Sequence, residues 1–554
     1  MTFELNIATT FEHVASIVPD RVAVMQGDYA ITYSRLNERS RKLARFLADC
    51  GLSQVVPRES LSGHECGQSL FGQYLRNCPE FLEGMIGSFS ARVAPFNINY
   101  RYGSEEIRYL LSDASPKVIQ YHAEFAPILA EALGGLSESP ILLQVADHSN
   151  HNLLPDAIDY EDALASREGD AAKLNPSPDD LYVLYTGGTT GMPKGVLWRQ
   201  ADVTVAAMGQ FHGPAREEWK SLDDRESHIL RGPYRTIVCP PLIHGAAQWN
   251  GLQALLNGDT MVLMAAVDHF DASEVCDTIE RLKINSVSIV GDAFAGPILE
   301  ELNKKPRDLT SLRMILSGGA TLRPAFKSQF VELVPGLRVL DFIASSETGT
   351  QGQLERSARS DSKSFETTLN TVIVSEDLSK ILRPEDGVDG WLARSGRVPL
   401  GYLGDKEKTA RTFPVIDGTR YAVAGDRAQP ISEDEFELLG RDSVTINTGG
   451  EKVFSEEVEL AIKELSEVAD VVVCGRPSER WGQEIVALVM VREGCEKDRT
   501  RITATCRSHL APFKTPRVII FVDQIVRSPS GKPDYRWALE QSLAQANSFR
   551  GRSE

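Results

Sequence analysis

Residues 185–195 read YTGGTTGMPKG, with four glycines, three threonines, one proline and one lysine; only Tyr185 and Met192 carry appreciable apolar surface. Such a stretch cannot fill a core. Glycine tolerates positive φ and lets backbone N–H groups approach a ligand closely. The hydroxyls of Thr186, Thr189 and Thr190 add donors, and Lys194 adds a point charge. Together these suit an anion with several oxygens, such as a polyphosphate. This is not the phosphate loop in which Gly-Lys-Ser/Thr opens a helix, because Pro193 precedes Lys194 and Gly195 follows it. A flexible surface turn would account for the glycines but not for the ordered Thr-Thr-Gly-x-Pro-Lys-Gly run.

Other short stretches carry chemistry-bearing side chains: PPLIHGAAQW with His244, LSGGATLRP, DFIASSETG with Glu347, YAVAGDRA with Asp426, and RSPSGKPDYR with Lys532. Taken singly, each has an ordinary explanation. A histidine after a strand is commonly structural, a Gly-Asp pair is commonly a turn, and a lysine near a terminus is commonly solvated.

The elements that must position these residues alternate in type. RKLARFLADC and EEIRYLLSD have helical periodicity, whereas ARVAPFNIN, DLYVLYT, TIVCPPL, TMVLMAAV, SVSIV, LRMILSGG and LRVLDFI are short apolar runs of strand length. Such alternation predicts α/β layers with sheets covered on both faces. A second unit begins near Leu439. SEEVELAIKEL predicts a helix with its N-cap at Ser455 and one face formed by Val458, Ala461, Ile462 and Leu465. The strand VADVVVCG, EIVALVMV, a helix over 498–510 and RVIIFV complete a small α+β domain, and ANSFRGRSE reads as a frayed tail.

The 554 residues include 59 basic and 77 acidic side chains, a formal charge of −18, which argues against nonspecific binding to nucleic acid. The longest clearly apolar run, MVLMAAV, is too short to span a bilayer. The amino terminus lacks the pattern of a signal peptide, and none of the eight cysteines is paired as CxxC. These features predict a cytoplasmic protein with reduced thiols.

In order and spacing, the stretches resemble the motifs of the adenylate-forming superfamily, which includes acyl- and aryl-CoA synthetases, luciferases and the adenylation domains of peptide synthetases. YTGGTTGMPKGV is similar to its signature loop, although relatives usually carry Ser at the place of Gly188. The resemblance implies a large N-terminal domain over 1–438, a hinge at 439–443 and a mobile cap domain over 444–554. It implies ATP, CoA and Mg²⁺ as reactants and cofactor, and a carboxylic acid as substrate. A homodimer and peripheral contact with membranes stay open.

Residue by residue, the resemblance puts Thr186, Gly187, Gly188, Thr189, Gly191 and Lys194 on the nucleotide phosphates. It puts Mg²⁺ on Glu347 with Thr190, and His244 beside the carboxylate and α-phosphate. Gly318, Gly319 and Ala320 line the adenine pocket, with Ser346 nearby. Ile343 stands where relatives commonly have an aromatic against adenine, and Ala344 where they have glycine. Asp426 takes the ribose hydroxyls and Arg441 a ribose or phosphate oxygen; Ser443 is the hinge residue. Gly449 and Gly450 border the pantetheine path, and Lys532 is the catalytic lysine. One segment departs, SQVVPRESLSGHECGQSLFGQ at 53–73, which either weakens an early strand or rebuilds a loop.

GAAQWNGLQALL and VSIVGDAFAGPIL are apolar and suit an acyl tunnel, though both equally suit a core. Neither Asp268 nor Asp271 aligns with the carboxylate that holds an amino group in amino-acid-activating relatives. NYRY, IVGDAFAGPIL, SSETG and INTGGEKVFSEEVE look most like bacterial fatty-acyl-CoA synthetases, including those acting on long chains or steroid side chains. Two alternatives remain: a ligase that loads acyl-adenylates onto a carrier protein, and a nucleotide-binding homologue with impaired catalysis.

Overall fold

The computed structural model describes residues 3–550 apart from 137, 166–173, 187–192, 214–215, 321, 358–359, 362–363, 369, 442–443, 449–450, 479–481, 511 and 528–531. The expected phosphate-loop residues Gly187, Gly188, Thr189, Thr190 and Gly191, the hinge residue Ser443 and the pair Gly449 and Gly450 therefore lie outside the described residues.

The apolar runs form strands, and the periodic segments between them form covering helices. Val22–Gln26, Arg235–Val238, Thr260–Leu263, Ser286–Ile289, Met314–Gly318 and Arg338–Ser345 pair in parallel as one half of the largest sheet. Strands buried on both faces read as continuous apolar or small-residue runs; Ser286–Ile289 and Thr260–Leu263 are buried throughout. Beyond Arg338–Ser345 the pairing turns antiparallel, through Gly349–Ser357, Phe365–Thr367, Glu435–Arg441, Thr419–Pro430 and Gly390–Ser395.

A second, parallel sheet contains Ala94–Asn97, Leu70–Tyr74, Val118–His122 and Ile141–Val145. Leu70–Tyr74 is wholly buried between two neighbours. The unusual 53–73 segment thus rebuilds a loop and leaves its strand intact. Arg58 organises that loop by donating to the carbonyls of Ser62 and Glu65, each at 2.7 Å.

The smaller unit has its own sheet, built from Thr445–Thr448, Glu451–Phe454, Val468–Ser478, Gly482–Val491 and Val518–Phe521. Helices Ser455–Lys463, Arg499–His509 and Tyr535–Arg550 accompany it. Val458, Ala461, Ile462 and Leu465 are all buried. The N-cap falls at Phe454 rather than Ser455. Glu457 accepts from the Phe454 N–H at 3.0 Å, while the Ser455 hydroxyl donates to the Val444 carbonyl at 2.8 Å. The final helix runs to Arg550, so ANSFR continues a helix where a frayed tail was expected.

The architecture is thus α/β, a large multi-sheet portion followed by a smaller α+β one. Leu439–Arg441 still belong to a strand of the large sheet, and Thr445 opens the small one, so the chain changes sheets across 442–444. All eight cysteines are free. Among the described residues no helix is long and apolar enough to cross a membrane.

Candidate active site

A cavity of about 1300 Å³ lies where the two portions meet. Its floor is set by topology, because ligands of open α/β sheets bind beyond the carboxyl ends of the strands. Pro240, Val290, Gly318 with Gly319, and Ser345 with Ser346 line it, each at or just past the end of a parallel strand. The small unit contributes a wall that includes Thr445, Gly475 and Lys532.

Thr186 closes the strand Leu181–Thr186, lines the cavity, and is the Cα partner of Lys194 in the antiparallel strand Lys194–Arg199. The two strands that flank the glycine-rich run are therefore paired with each other. Pro193 is compatible with that pairing, since Lys194 begins a strand and not a helix. Lys194 Nζ lies 3.7 Å from both Asp113 Oδ1 and Asp405 Oδ2. Partial burial works against its charge, but Asp113, Tyr109 and Asp405 outweigh it and hold the ammonium above the usual lysine range. Neither carboxylate was foreseen in the sequence, where both lie far from the loop.

His244 occupies the N-cap position of the helix Gly245–Leu256 and lines the cavity. Its Nε2 is buried with no hydrogen-bond partner among the described residues. Burial, reinforced by the charges of Lys532 and Arg101, pushes its pKa down to about 3, so the ring is neutral at physiological pH. Gly245 permits this turn to approach the neighbouring strand, since a Cβ there would sit 2.6 Å from Leu184 Cδ2.

Gly318 and Gly319 both line the cavity, and Gly319 has φ +88°. Lys532 Cε lies 3.7 Å from where a Gly319 Cβ would stand. Ala320 instead packs against the adjoining core. Ile343 also departs from its expected place. It is buried with Ile373, Leu392 and Phe436, while Phe342 and Ala344 on either side line the cavity. Side chains alternate along a strand, so the aromatic of this motif reaches the site from position 342.

Ser346 lines the cavity, and its carbonyl accepts from Trp198 Nε1 at 2.8 Å. Glu347 follows, its Oε1 accepting from the Tyr402 hydroxyl at 2.8 Å. The buried Arg394 donates to the carbonyls of Thr348, Thr350 and Ala206. Trp198, Arg394 and Tyr402 thus fix the Glu347 turn, and no local sequence signal announced them. Asp426 is buried outside the cavity lining, and its Cα partner across two strands is Arg441.

Comparison with known proteins decides the family. The model of the AMP-binding enzyme matches residues 11–387, and that of the AMP-binding enzyme C-terminal domain matches 457–532. The chain belongs to the AMP-binding enzyme family. Within it, the chain is 48% identical over 544 residues to the medium-chain acyl-CoA ligase Mig of Mycobacterium avium, covering 98% of this chain and 99% of the relative. It is 36% identical over 557 residues to the medium/long-chain-fatty-acid–CoA/3-oxocholest-4-en-26-oate–CoA ligase of Mycobacterium tuberculosis, covering 98% and 97%. The crystal structure of the anthranilate CoA ligase AuaEII in complex with anthranoyl-AMP superposes with a TM-score of 0.81 at 20% identity, covering 99% of each chain. That likeness concerns the fold. The sequence expectation of an AMP-forming acid–thiol ligase agrees with the family and with the relatives' names.

Proposed function

We propose that the protein is an ATP-dependent acyl-CoA synthetase acting on medium- or long-chain, or steroid side-chain, carboxylic acids. The observation that carries this reading is Lys532, close to the carboxyl terminus, standing over Gly319 in a cavity it shares with a neutral His244 whose Nε2 has no partner among the described residues. Trp249, Val205, Ile289 and Leu316 give the same cavity apolar walls suited to an acyl chain.

In the first step a carboxylate oxygen attacks the α-phosphorus of ATP, pyrophosphate leaves, and an acyl-adenylate remains. Charge moves between phosphate oxygens, so fixed donors and cations lower the barrier. Lys532 supplies one cation and Lys194, which begins the strand Lys194–Arg199, another. The neutral His244 ring offers a hydrogen bond to the acid or α-phosphate. In our reading Asp426 and Arg441 hold the ribose. Glu347 is suited to Mg²⁺, which takes most of its ligands from water and substrate phosphates; no cluster of three metal-ligating side chains occurs among the described residues. The bound ion would neutralise phosphate charge, with Tyr402 keeping the carboxylate oriented.

In the second step the thiol sulfur of CoA attacks the acyl carbon and AMP leaves. Lys532 must move aside for this, so of the expected hinge 439–443 we keep only the part beyond Arg441, where the chain passes from the large sheet to the small one that opens at Thr445, and take the residues after it as a mobile cap. We assign the reaction to the cytoplasm, where ATP and CoA are supplied. Pyrophosphate release is the test, measured across a panel of carboxylic acids with and without CoA. Release that depends on an apolar acid, with acyl-CoA formed only when CoA is present, is expected. ATP binding with no acid-dependent release would refute the proposal.

A further inference from the structure

Away from the cavity, the two portions also meet through buried charges. Asp292 opens the helix Asp292–Lys304 of the large portion, and its carboxylate accepts from the Arg323 N–H and Nε, both at 2.9 Å. Lys463 ends the helix Ser455–Lys463 of the small portion and brings Nζ to 3.5 Å from Asp292 Oδ2. The two side chains are only 5% and 11% exposed. Lys463 Nζ also lies 3.7 Å from Asp470 Oδ1, which Arg527 holds at 2.7 Å. Arg527 in turn forms an antiparallel bridge with Pro533, the residue after Lys532. The charge row is therefore tied to the base of the segment that carries Lys532.

The partners are divided in a telling way. Asp292 keeps Arg323 on its own side of the junction, and Lys463 keeps Asp470 on its side. Removing one member of a buried pair strands the other. Separating these two portions strands neither, so the contact is built to open.

We propose that Asp292 and Lys463 form a releasable latch that selects the orientation in which Lys532 overlies Gly319, making both of them positioning residues for acyl-adenylate formation. The proposal rests on the acyl-CoA synthetase reading above. A second crossing pair, Arg492 Nη1 to Glu300 Oε1 at 3.1 Å, is solvent-exposed and contributes little.

The test compares the two half-reactions in single turnover, using the full chain as wild type, Lys463→Met, Asp292→Asn and Lys463→Arg. Acyl-AMP formation should fall by about tenfold or more in the Met and Asn variants as the closed population shrinks. Thioester formation from supplied acyl-AMP and CoA should be unchanged or faster. Lys463→Arg, which keeps the charge, should stay near wild type. Asp292→Asn preserves shape and an acceptor for the Arg323 N–H, so it remains the folded test if Lys463→Met does not fold. Equal loss in both half-reactions, or no loss in either, would overturn the latch. A wild-type protein with no acid-dependent pyrophosphate release would instead refute the synthetase reading.

Discussion

The Tyr402 hydroxyl donates to Glu347 Oε1 at 2.8 Å, joining a short strand that pairs with Lys194–Arg199 to the turn of the largest sheet. Tyr402 is itself held in place. Its N–H donates to Thr409 Oγ1 at 2.9 Å, and the Lys408 ammonium sits 4.2 Å from its ring centroid. Burial, with the negative Glu347 beside it, drives the phenol far above its usual pKa, so it stays a donor at every working pH. Tyr402→Phe removes one hydrogen bond to a charged group, of about 1.5 kcal/mol, which corresponds to roughly tenfold in rate. Acyl-AMP formation should slow by that factor and require more Mg²⁺ for half-maximal rate. A Mg²⁺ requirement identical to wild type would argue against Glu347 as the metal-binding residue.

Gly319→Ala isolates backbone strain beneath Lys532. At φ +88° a side chain is strained whatever the space, while the added Cβ meets only ordinary contacts, 3.7 Å from Lys532 Cε and 3.8 Å from Val290 Cγ1. A cost of about 1–2 kcal/mol is expected for forcing a non-glycine residue into this region. Adenylation should fall while CoA transfer from supplied acyl-AMP is better preserved. Full adenylation activity would mean that the turn tolerates movement and does not register Lys532.

His244 gives a pH prediction with a definite sign. Its folded pKa is about 3, whereas an unfolded histidine titrates near about 6.5. Between these values the unfolded chain binds a proton that the native chain refuses, so this group makes stability fall as pH drops below about 6.5. Urea midpoints at pH 7.5 and pH 5 should converge in His244→Gln relative to wild type. The kcat/KM profile should show no acid limb near pH 6.5 that disappears in this variant. An imidazole titrating near pH 6.5 in the wild type would contradict the burial described here.

Much of the framework was legible in the sequence, since apolar runs such as SVSIV and LRMILSGG carry strand length and composition without needing tertiary context. The small unit was equally readable, because the helical face of Val458, Ala461, Ile462 and Leu465 follows from spacing alone. The N-cap at Phe454 was not, because the Ser455 hydroxyl is drawn off to the distant Val444 carbonyl. Within the site, residues on the chain's own motifs were visible and their partners were not. Lys194 was plain, but Asp113 and Asp405 reach it through tertiary folding. The register irregularity between Ile343 and Ala344 lies in the same motif, and position 343, expected at the cavity, faces the core while Phe342 and Ala344 line the cavity. Arg394 and Trp198 act on backbone carbonyls, a role that leaves no mark on local sequence.

In the proposed reaction Lys532 serves acyl-AMP formation and leaves the site for CoA transfer. The most direct measurement is single-turnover kinetics of Lys532→Ala in each half-reaction. Acyl-AMP formation should drop by about a hundredfold or more, as for loss of a cation that stabilises developing phosphate charge, while thioester formation from supplied acyl-AMP and CoA stays within a few-fold of wild type. Equal loss in both half-reactions, or full adenylation without the lysine, would contradict it.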